Sequence, residues 1–489
     1  MLAYFHRTIR MAVDQTPIRT VLRGLNPSVA HRAADKPNID EIYAPPHHAV
    51  ALSADRALVI GGRGVGKSFW AAVLAAAEAR EIAAKAYPLL RLDRLDVSLG
   101  FHEAAFGSEG VAPSPAALKA ALEIAHDPVS IWRSVLMKAL VANVGPTKLV
   151  DRVKWLETDP ESFEDALLKE DAARAKRERP LLLVFDALDV LATDWETIRK
   201  LTTALARLAL EMSARRAIRL KLFMRRDQFM DMRRSTFADF SKLRTAAVEL
   251  EWRPVDLYGA LFTRLWGDPN AHRVLRKLGR TIPLSMPEGD LPSDLKDDPK
   301  KQEVLFAALA GEFMGTNRKR GRTYTWVPKH LADAHGETSL RSFLIALREA
   351  AERANRPGLA IDSHGLNAGV LKASGTRREE LKEDHPWVED ALEALSGLTV
   401  PCDEEEMLSR WRDGNVLPRI RRRRDPQRPA APLQLEVPDY GTPEQGLLSA
   451  LIDLGVVERR AGMRVNVPDI FRVAARMKRK GGVALPRRS

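Results

Sequence analysis

The sequence is poor in cysteine, since Cys402 is the only thiol among 489 residues. One thiol cannot form an internal disulfide or a cysteine-based zinc site, so a buried, chemically indifferent cysteine is expected. The chain also lacks any apolar run near the roughly 20 residues that span a bilayer. Its first residues, "MLAYFHRTIRMAVDQTP", contain no apolar segment followed by a small-residue cleavage site. These absences predict a cytoplasmic protein that has no membrane partner.

Negative charge is under-represented, because 77 Lys and Arg face 65 Asp and Glu and give a formal net charge of +12. The excess is concentrated at the carboxyl end, where residues 415–489 hold 16 Lys or Arg against 7 Asp or Glu. Such a distribution favours a polyanionic partner such as DNA or RNA, although an arginine-rich composition can also be common to the proteins of a whole genome.

The pattern of apolar residues predicts several domains, as a chain too long for one hydrophobic core requires. Residues 51–265 alternate strand-like runs with helical stretches, which predicts an α/β parallel-sheet core preceded by an extension at 1–50. Residues 266–385 are predicted to form a helical lid domain, with an exposed connection at 285–302. Residues 386–489 are predicted to form a basic domain that is winged-helix-like.

The stretch "ALVIGGRGVGKSFW", residues 57–70, carries the strongest chemical signal. It matches G-x-x-x-x-G-K-[ST], in which the loop amides surround phosphates, Lys67 reaches the β- and γ-phosphates and the Ser68 hydroxyl binds Mg²⁺. A strand pattern before the loop and a helix pattern after it favour a P-loop over a glycine turn that binds nothing. The predicted nucleotide-binding residues are Gly61, Gly62, Arg63, Gly64, Val65, Gly66, Lys67, Ser68 and Phe69.

A second buried strand is predicted in "RPLLLVFDALDVLA", where Pro180 is followed by five apolar residues and then Asp186. Mg²⁺ requires oxygen ligands in octahedral geometry, and a P-loop needs an acidic partner at the end of another strand. The pattern therefore predicts a Walker B strand with Asp186 as a metal ligand. An ordinary buried strand is the alternative.

Ala187 occupies the place where many motor ATPases carry a glutamate, and the next acid is Asp189. This D-A-L-D arrangement resembles the D-G-L-D-E box of STAND and NACHT ATPases and the D-D-L-D-R box of KAP-type ATPases. The resemblance implies slow hydrolysis that serves switching, with Asp189 orienting the attacking water. A helix N-cap is the alternative role for Asp189.

The next predicted strand, "AIRLKLFMRRDQF", ends at Arg225 and Arg226. A cation at this strand tip can sense the γ-phosphate and stabilise charge in the transition state, whereas a solvated basic turn is the alternative. The segment is similar to bacterial P-loop ATPases near the KAP and STAND groups, which carry a D-x-S-K-L element and an L-x-W strand. The matching residues here are Asp239, Ser241, Lys242, Leu243, Leu250 and Trp252.

Arg341 lies at the start of an amphipathic pattern, after the potential helix caps Thr338 and Ser339. AAA+ and related ATPases place a sensor-2 arginine near the start of a lid helix, and this resemblance makes Arg341 a candidate. A surface arginine in the first helical turn is the alternative.

The carboxyl-terminal segment predicts a helix followed by a hairpin. Thr442 and Gln445 form a capping-box pattern, Gly455 can end the helix, and two short strands are expected around Ala461-Gly462. This order looks like a winged helix, which would contact DNA or RNA or dock a protein. The residues predicted to contact nucleic acid are Arg421, Arg422, Arg423, Arg424, Arg459, Arg460 and Arg464.

Together these patterns predict an Mg²⁺-dependent ATPase with ATP and Mg²⁺ as cofactors, and the resemblance to STAND and KAP ATPases implies that it acts as a slow switch. By resemblance to the families named above, we expect it in a bacterial antiphage or conflict complex that controls an effector protein such as a nuclease. The sequence leaves homo-oligomerisation open. The alternatives are a DNA-binding AAA+ regulator of replication initiation or transposition, and a structural subunit that binds nucleotide without turnover.

Overall fold

The computed structural model describes residues 13–27, 37–102, 111–141, 144–232, 240–280, 282, 284, 289–422, 432, 435 and 440–479. The described residues form two compact units that separate between Glu251 and Trp252. The first unit is drawn from residues 28–251, and the second from 1–27 together with 252–489. Within the described ranges, every helix is too short or too polar to cross a lipid bilayer.

A five-stranded sheet organises the first unit. Every pair of neighbouring strands is parallel, and the spatial order is β2-β3-β4-β1-β5. Since all strands run the same way, their carboxyl ends share one edge of the sheet. The strands are β1 (Leu58–Gly61), β2 (Asp96–Phe101), β3 (Leu181–Phe185), β4 (Ile218–Arg225) and β5 (Val248–Glu249).

Helices surround this sheet and bury its central strands. All five residues of β3 are buried, which explains why its sequence is a continuous apolar run instead of an alternating one. The helices are α2 (His48–Leu52), α3 (Lys67–Ala75), α4 (Ala77–Ala86), α5 (Pro115–Ile124), α6 (Val129–Leu140), α7 (Leu149–Thr158), α8 (Pro160–Arg177), α9 (Trp195–Met212), α10 (Arg226–Met232) and α11 (Phe240–Ala246).

One lysine is buried inside this apolar sheet. Lys221 on β4 donates hydrogen bonds to the backbone carbonyls of Ala51, Ser53 and Arg56 at 2.7, 2.9 and 2.8 Å. Burial lowers the pKa of Lys221 to about 7. Because these carbonyls precede β1, the lysine fixes the chain segment that leads into the P-loop strand.

The described residues of the second unit form helices and one small sheet. Its amino-terminal helix α1 (Thr16–Arg23) packs against segments more than 300 positions away, since Arg19 donates to the carbonyls of Leu359 and Ala360. The helices that follow are α12 (Pro254–Gly267), α13 (Pro269–Gly279), α14 (Ser293–Asp297), α15 (Pro299–Ala310), α16 (Thr323–Leu331), α17 (Leu340–Arg353), α18 (Ser363–Asp384) and α19 (Trp387–Ala394).

The segment 285–302 differs from its prediction as an exposed connection. Residues 285–288 lie outside the described residues, but α14 and the start of α15 occupy most of the remainder. Leu291 and Leu295, four positions apart, are both buried and hold this segment against the unit. The many Pro, Gly and Asp residues that predicted a loop instead serve partly as helix starts, as Asp298 does by capping α15.

A winged helix forms the carboxyl-terminal part of the second unit. Its three-stranded antiparallel sheet has the order β6-β8-β7, with strands β6 (Cys402–Asp403), β7 (Glu458–Arg460) and β8 (Arg464–Asn466). Both halves of the predicted capping box at Thr442 and Gln445 are present. The associated helices are α20 (Glu404–Asp413), α21 (Val416–Arg422), α22 (Pro443–Asp453) and α23 (Asp469–Arg472).

These features confirm the predicted fold class: an α/β P-loop core with a parallel sheet, followed by a helical region and a carboxyl-terminal winged-helix-like part. The boundary between the two units places α12 with the helical part of the chain. The finer division at residues 50, 265 and 385 stays a prediction. Cys402 is buried, and burial raises the pKa of its thiol to about 11.

Candidate nucleotide site

The P-loop follows β1 and leads directly into α3. Gly64 and Gly66 have φ angles of 80° and 99°, in the left-handed region where only glycine is free of strain. A side chain at Gly61 would start 2.7 Å from Val65 and 3.1 Å from the carbonyl oxygen of Leu250. The loop is therefore held tightly from behind, and its curl leaves the first backbone amides of α3 available for an anion.

Lys67, the first residue of α3, folds back over this loop. Its Nζ donates to the carbonyl oxygens of Gly61 and Gly62 at 2.9 and 2.7 Å. Burial lowers the pKa of Lys67 to about 8, and the charge of Asp186 opposes that shift. A triphosphate oxygen is a stronger acceptor for this ammonium than a neutral carbonyl.

Asp186 follows the last residue of β3 and is 2% exposed. Burial raises its pKa, while hydrogen bonds from the Ser68 side chain and the Ala187 backbone oppose the shift. The Oδ2 atom of Asp186 is shielded from solvent and has no hydrogen-bond partner among the described residues. The structure thus brings together the two predicted metal ligands, Ser68 and Asp186, with one carboxylate oxygen still able to accept.

These two side chains fit a magnesium ion. A hydroxyl and a carboxylate are hard oxygen donors, and Mg²⁺ takes one or two such protein ligands beside water and phosphate oxygens. The unpartnered Oδ2 is a buried acceptor that a cation would satisfy, and an unsatisfied buried carboxylate oxygen is otherwise costly.

Asp189 and Arg225 lie together at the carboxyl edge of the sheet. The guanidinium of Arg225 is 3.4 Å from Asp189 and makes a bidentate pair with Asp227 at 3.0 and 2.6 Å. Asp189 belongs to a short helical turn, Leu188–Val190, whereas the cap of α9 is provided by Asp194. The charges of Arg225, Asp189 and Asp227 all act on the pKa of Lys67, so the four groups share one electrostatic environment.

Arg226 and Arg341 have other partners. Arg226 begins α10 and pairs with Glu249 at 2.8 Å. Arg341 lies in the second unit, where it pairs with Glu380 at 2.8 Å. Ser339 caps the helix that carries Arg341, and Thr338 instead donates to the carbonyl of Pro328.

The remaining predicted nucleotide-binding residues lie in the loop and at the start of α3. Val65 is buried beneath it, and the Phe69 ring packs edge-on against Trp70 with 5.5 Å between ring centroids. Gly62, Arg63 and Gly64 are half-buried. In the related segment, Asp239 lies outside the described residues, and Leu250 and Trp252 are buried. The remaining members of that element, Ser241, Lys242 and Leu243, lie on α11.

The winged-helix arginines are engaged with nearby acids. Arg459 lies 3.3 Å from Glu404, Arg460 2.5 Å from Glu458, and Arg464 3.9 Å from Asp403. Each guanidinium remains about half exposed, so these pairs contribute little to stability. Arg421 and Arg422 end α21 and are exposed, whereas Arg423 and Arg424 lie outside the described residues.

Two residues of the site were missed by sequence reasoning. His102 follows β2 and is 2% exposed, with its Nε2 atom 3.7 Å from the Oδ2 atom of Asp186. Asp227 holds Arg225 in place. A signal existed for His102, because it directly follows β2, which pairs with the strand that precedes Asp186. Asp227 immediately follows the two predicted sensor arginines.

Neither a protein-family model nor a curated protein matches this chain. Solved structures that align with it over most of its length include the following two. The Orc2 protein of Aeropyrum pernix, solved in ADPNP and ADP complexes, is 14% identical with a TM-score of 0.39, covering 90% of this chain and 94% of that one. The Cdc6p protein of Pyrobaculum aerophilum is 13% identical with a TM-score of 0.27, covering 94% and 95%.

Proposed function

We propose that this protein binds ATP with Mg²⁺ and hydrolyses it slowly as a molecular switch. The observation that carries the proposal is the convergence of Lys67, Ser68 and Asp186 at one edge of the sheet, with an unpartnered buried carboxylate oxygen on Asp186. The loop amides and Lys67 bind the phosphates, and Ser68 and Asp186 hold the metal. Bound Mg²⁺ would supply charge neutralisation at the phosphate oxygens.

The residues that would take part in hydrolysis are Asp189 and Arg225, at the carboxyl edge of the sheet. Asp189 is about 38% exposed and therefore accessible to water, which it would orient for attack. Arg225 lies within Coulomb range of Lys67 and would stabilise charge that develops on the γ-phosphate. Because Arg225 is paired with both Asp189 and Asp227, phosphate binding would compete with those acids and so change their arrangement.

The experiment measures ATP affinity and phosphate release of the full chain with and without Mg²⁺. We expect Lys67→Ala to weaken ATP binding by at least about 100-fold, because it removes charge-assisted hydrogen bonds to two phosphates. Lys85→Ala is the matched control, since Lys85 is an exposed lysine on α4 of the same unit. Equal ATP affinity in the Lys67 and Lys85 variants would refute the proposal. Tight ATP binding with no phosphate release would instead support the alternative of a structural subunit that binds nucleotide without turnover.

A second candidate function is a DNA-binding regulator of the replication-initiation or transposition type. The observation that favours it is the complete three-stranded winged helix, with Arg459, Arg460 and Arg464 at its hairpin. The two solved structures named above are of Orc2 and Cdc6 proteins, which corresponds to this setting more than to an antiphage complex. The antiphage role and an effector partner stay predictions from family resemblance.

A winged helix that binds DNA and one that docks a protein differ in how much the hairpin arginines contribute to duplex affinity. In the DNA-binding setting, replacing Arg459 and Arg460 with Gln lowers the affinity for a 30-base-pair duplex. The same change reduces the salt dependence of binding by about one unit for each phosphate that the variant no longer neutralises. Replacing Arg410 and Arg412 of α20 with Gln is the control. If the winged helix docks a protein instead, the two double variants should have equal affinity for the duplex.

A further inference from the structure

A basic pocket lies on the first unit, beside α9 and the start of α6. It has a volume of about 310 Å³ and is lined by Pro128, Arg199, Lys200, Thr203, Ala204 and Arg207. We call it the α9 pocket. Arg199, Thr203 and Arg207 are spaced four residues apart, so they form one stripe along the helix. None of these residues belongs to the nucleotide site described above.

The polar groups of the α9 pocket are incompletely satisfied. The Oγ1 atom of Thr203 is shielded from solvent and lacks a hydrogen-bond partner among the described residues. Among the residues that the structure describes, the guanidinium of Arg199 makes no ion pair within 4 Å. Lys200 pairs with Glu196 and Arg207 lies 3.5 Å from Asp127, but all four side chains are about half exposed. Exposed pairs of this kind contribute little and give way to a stronger acceptor.

We propose that the α9 pocket binds a phosphoryl group. Two guanidinium forks, an ammonium and a hydroxyl are all donors, and arginine matches the tetrahedral oxygens of a phosphate through paired N–H bonds. Because Thr203 Oγ1 is shielded from solvent, a change of its χ1 rotamer would bring the hydroxyl to the pocket, where the phosphoryl group would give it an acceptor. The volume is at the lower end for small-molecule pockets and accommodates a phosphoryl group with one attached sugar-sized moiety. The phosphoryl group belongs to a nucleic-acid backbone or to a small phosphorylated molecule.

This inference goes beyond the proposed ATPase and does not depend on it. The test therefore uses the full chain carrying Lys67→Ala, so that the P-loop does not dominate phosphate binding. Inorganic pyrophosphate and a 30-base-pair duplex are titrated separately by calorimetry and by fluorescence anisotropy. The pocket variants are the double replacement Arg199→Gln/Arg207→Gln and the single replacement Thr203→Val, which removes the hydroxyl at nearly constant volume. Arg177→Gln on α8 is the control for removal of a surface charge, because its side chain is mostly exposed.

We expect the double variant to weaken pyrophosphate binding at least about 10-fold and Thr203→Val to weaken it about 3-fold, with no change for Arg177→Gln. A parallel loss of duplex affinity assigns the phosphoryl group to a nucleic-acid backbone, and a loss confined to pyrophosphate assigns it to a small molecule. Unchanged affinity for both probes in the double variant overturns the proposal. Retained ATP affinity of the pocket variants, measured with Lys67 intact, verifies that they fold.

Discussion

Two buried aspartates, one in each unit, have opposite electrostatic surroundings. Asp186 is incompletely hydrogen-bonded, and burial raises its pKa. Asp469 on α23 is as deeply buried, but hydrogen bonds from His330 and Arg472 outweigh the effect of burial and lower its pKa to about 2. A buried carboxylate whose oxygens all have hydrogen-bond partners stabilises the fold. One with an oxygen that accepts no hydrogen bond is able to bind a ligand.

Both carboxylate oxygens of Asp469 have hydrogen-bond partners. Its Oδ1 atom accepts from Arg472 at 2.6 Å, and His330 on α16 lies 2.5 Å from Oδ2. The Ser374 hydroxyl on α18 donates to its backbone carbonyl at 3.4 Å. These contacts tie α23, which follows the hairpin of the winged helix, to two helices of the helical region. The winged helix is therefore attached to that region by a buried charge network.

The largest effect is expected from Asp469→Asn. It leaves the guanidinium of Arg472, 1% exposed, without its counter-charge, so the free energy of unfolding should fall by about 3–5 kcal/mol. Denaturant titration measures the loss, and Asp413→Asn on the exposed end of α20 is the control. Adding Arg472→Met to Asp469→Asn should recover part of the loss. A double variant as unstable as the sum of its single changes would contradict the pairing.

Arg225 is the counterpart of Arg472 in the nucleotide site, since it too is held by aspartates. If it stabilises the transition state, Arg225→Gln lowers the turnover number about 100-fold while the ATP dissociation constant changes only a few-fold. Arg226→Gln is the matched control, because that neighbouring arginine pairs with Glu249 instead. Equal losses in the two variants would argue against the assignment of Arg225.

The pH dependence of stability separates the two aspartates further. The folded-state pKa of Asp469 lies below its ordinary value of 3.8, so its contribution is fully present above pH 4 and is lost as the pH falls through about 2. The shift corresponds to about 2 kcal/mol. Unfolding measured between pH 5 and 2 should show this loss in the wild type and not in Asp469→Asn. Parallel curves for the two proteins would contradict the lowered pKa.

The smallest effect is expected from Asp186→Asn and has the opposite sign. Removing a buried, incompletely satisfied negative charge should raise the free energy of unfolding without nucleotide by about 1 kcal/mol. The same change should abolish the additional stabilisation that Mg²⁺ gives in the presence of ATP. Thermal unfolding with and without Mg²⁺ measures both effects, with Asp165→Asn on α8 as the control. A destabilised variant would place Asp186 in the same structural class as Asp469.

Local sequence patterns predicted the parts of the site that lie within a few residues of one another. The P-loop, the strand ending at Asp186 and the capping box at Thr442 are all set by neighbouring residues, and each appears where it was predicted. The fold class followed from the alternation of strand and helix patterns. The roles assigned to Asp189 and Arg341 rest on family resemblance and stay predictions.

The contacts that sequence reasoning missed join distant residues. His330 and Asp469 are 139 positions apart, and His102 meets Asp186 across two paired strands. The two residues of β6 are too few for a periodic pattern, and only pairing with β8 makes them a strand. These features depend on tertiary packing, which a local pattern does not encode.

The position of α1 has a consequence for synthesis on the ribosome. Ile18 and Leu22 are fully buried in the second unit, yet the Leu359 and Ala360 carbonyls that Arg19 contacts are made more than 300 residues later. At translation rates of about 5–20 residues per second, that delay is on the order of 15–70 s. The first unit can fold in this interval. The Leu359 and Ala360 carbonyls that Arg19 contacts are not yet made during this interval, so α1 completes its packing only when the second unit has been synthesised.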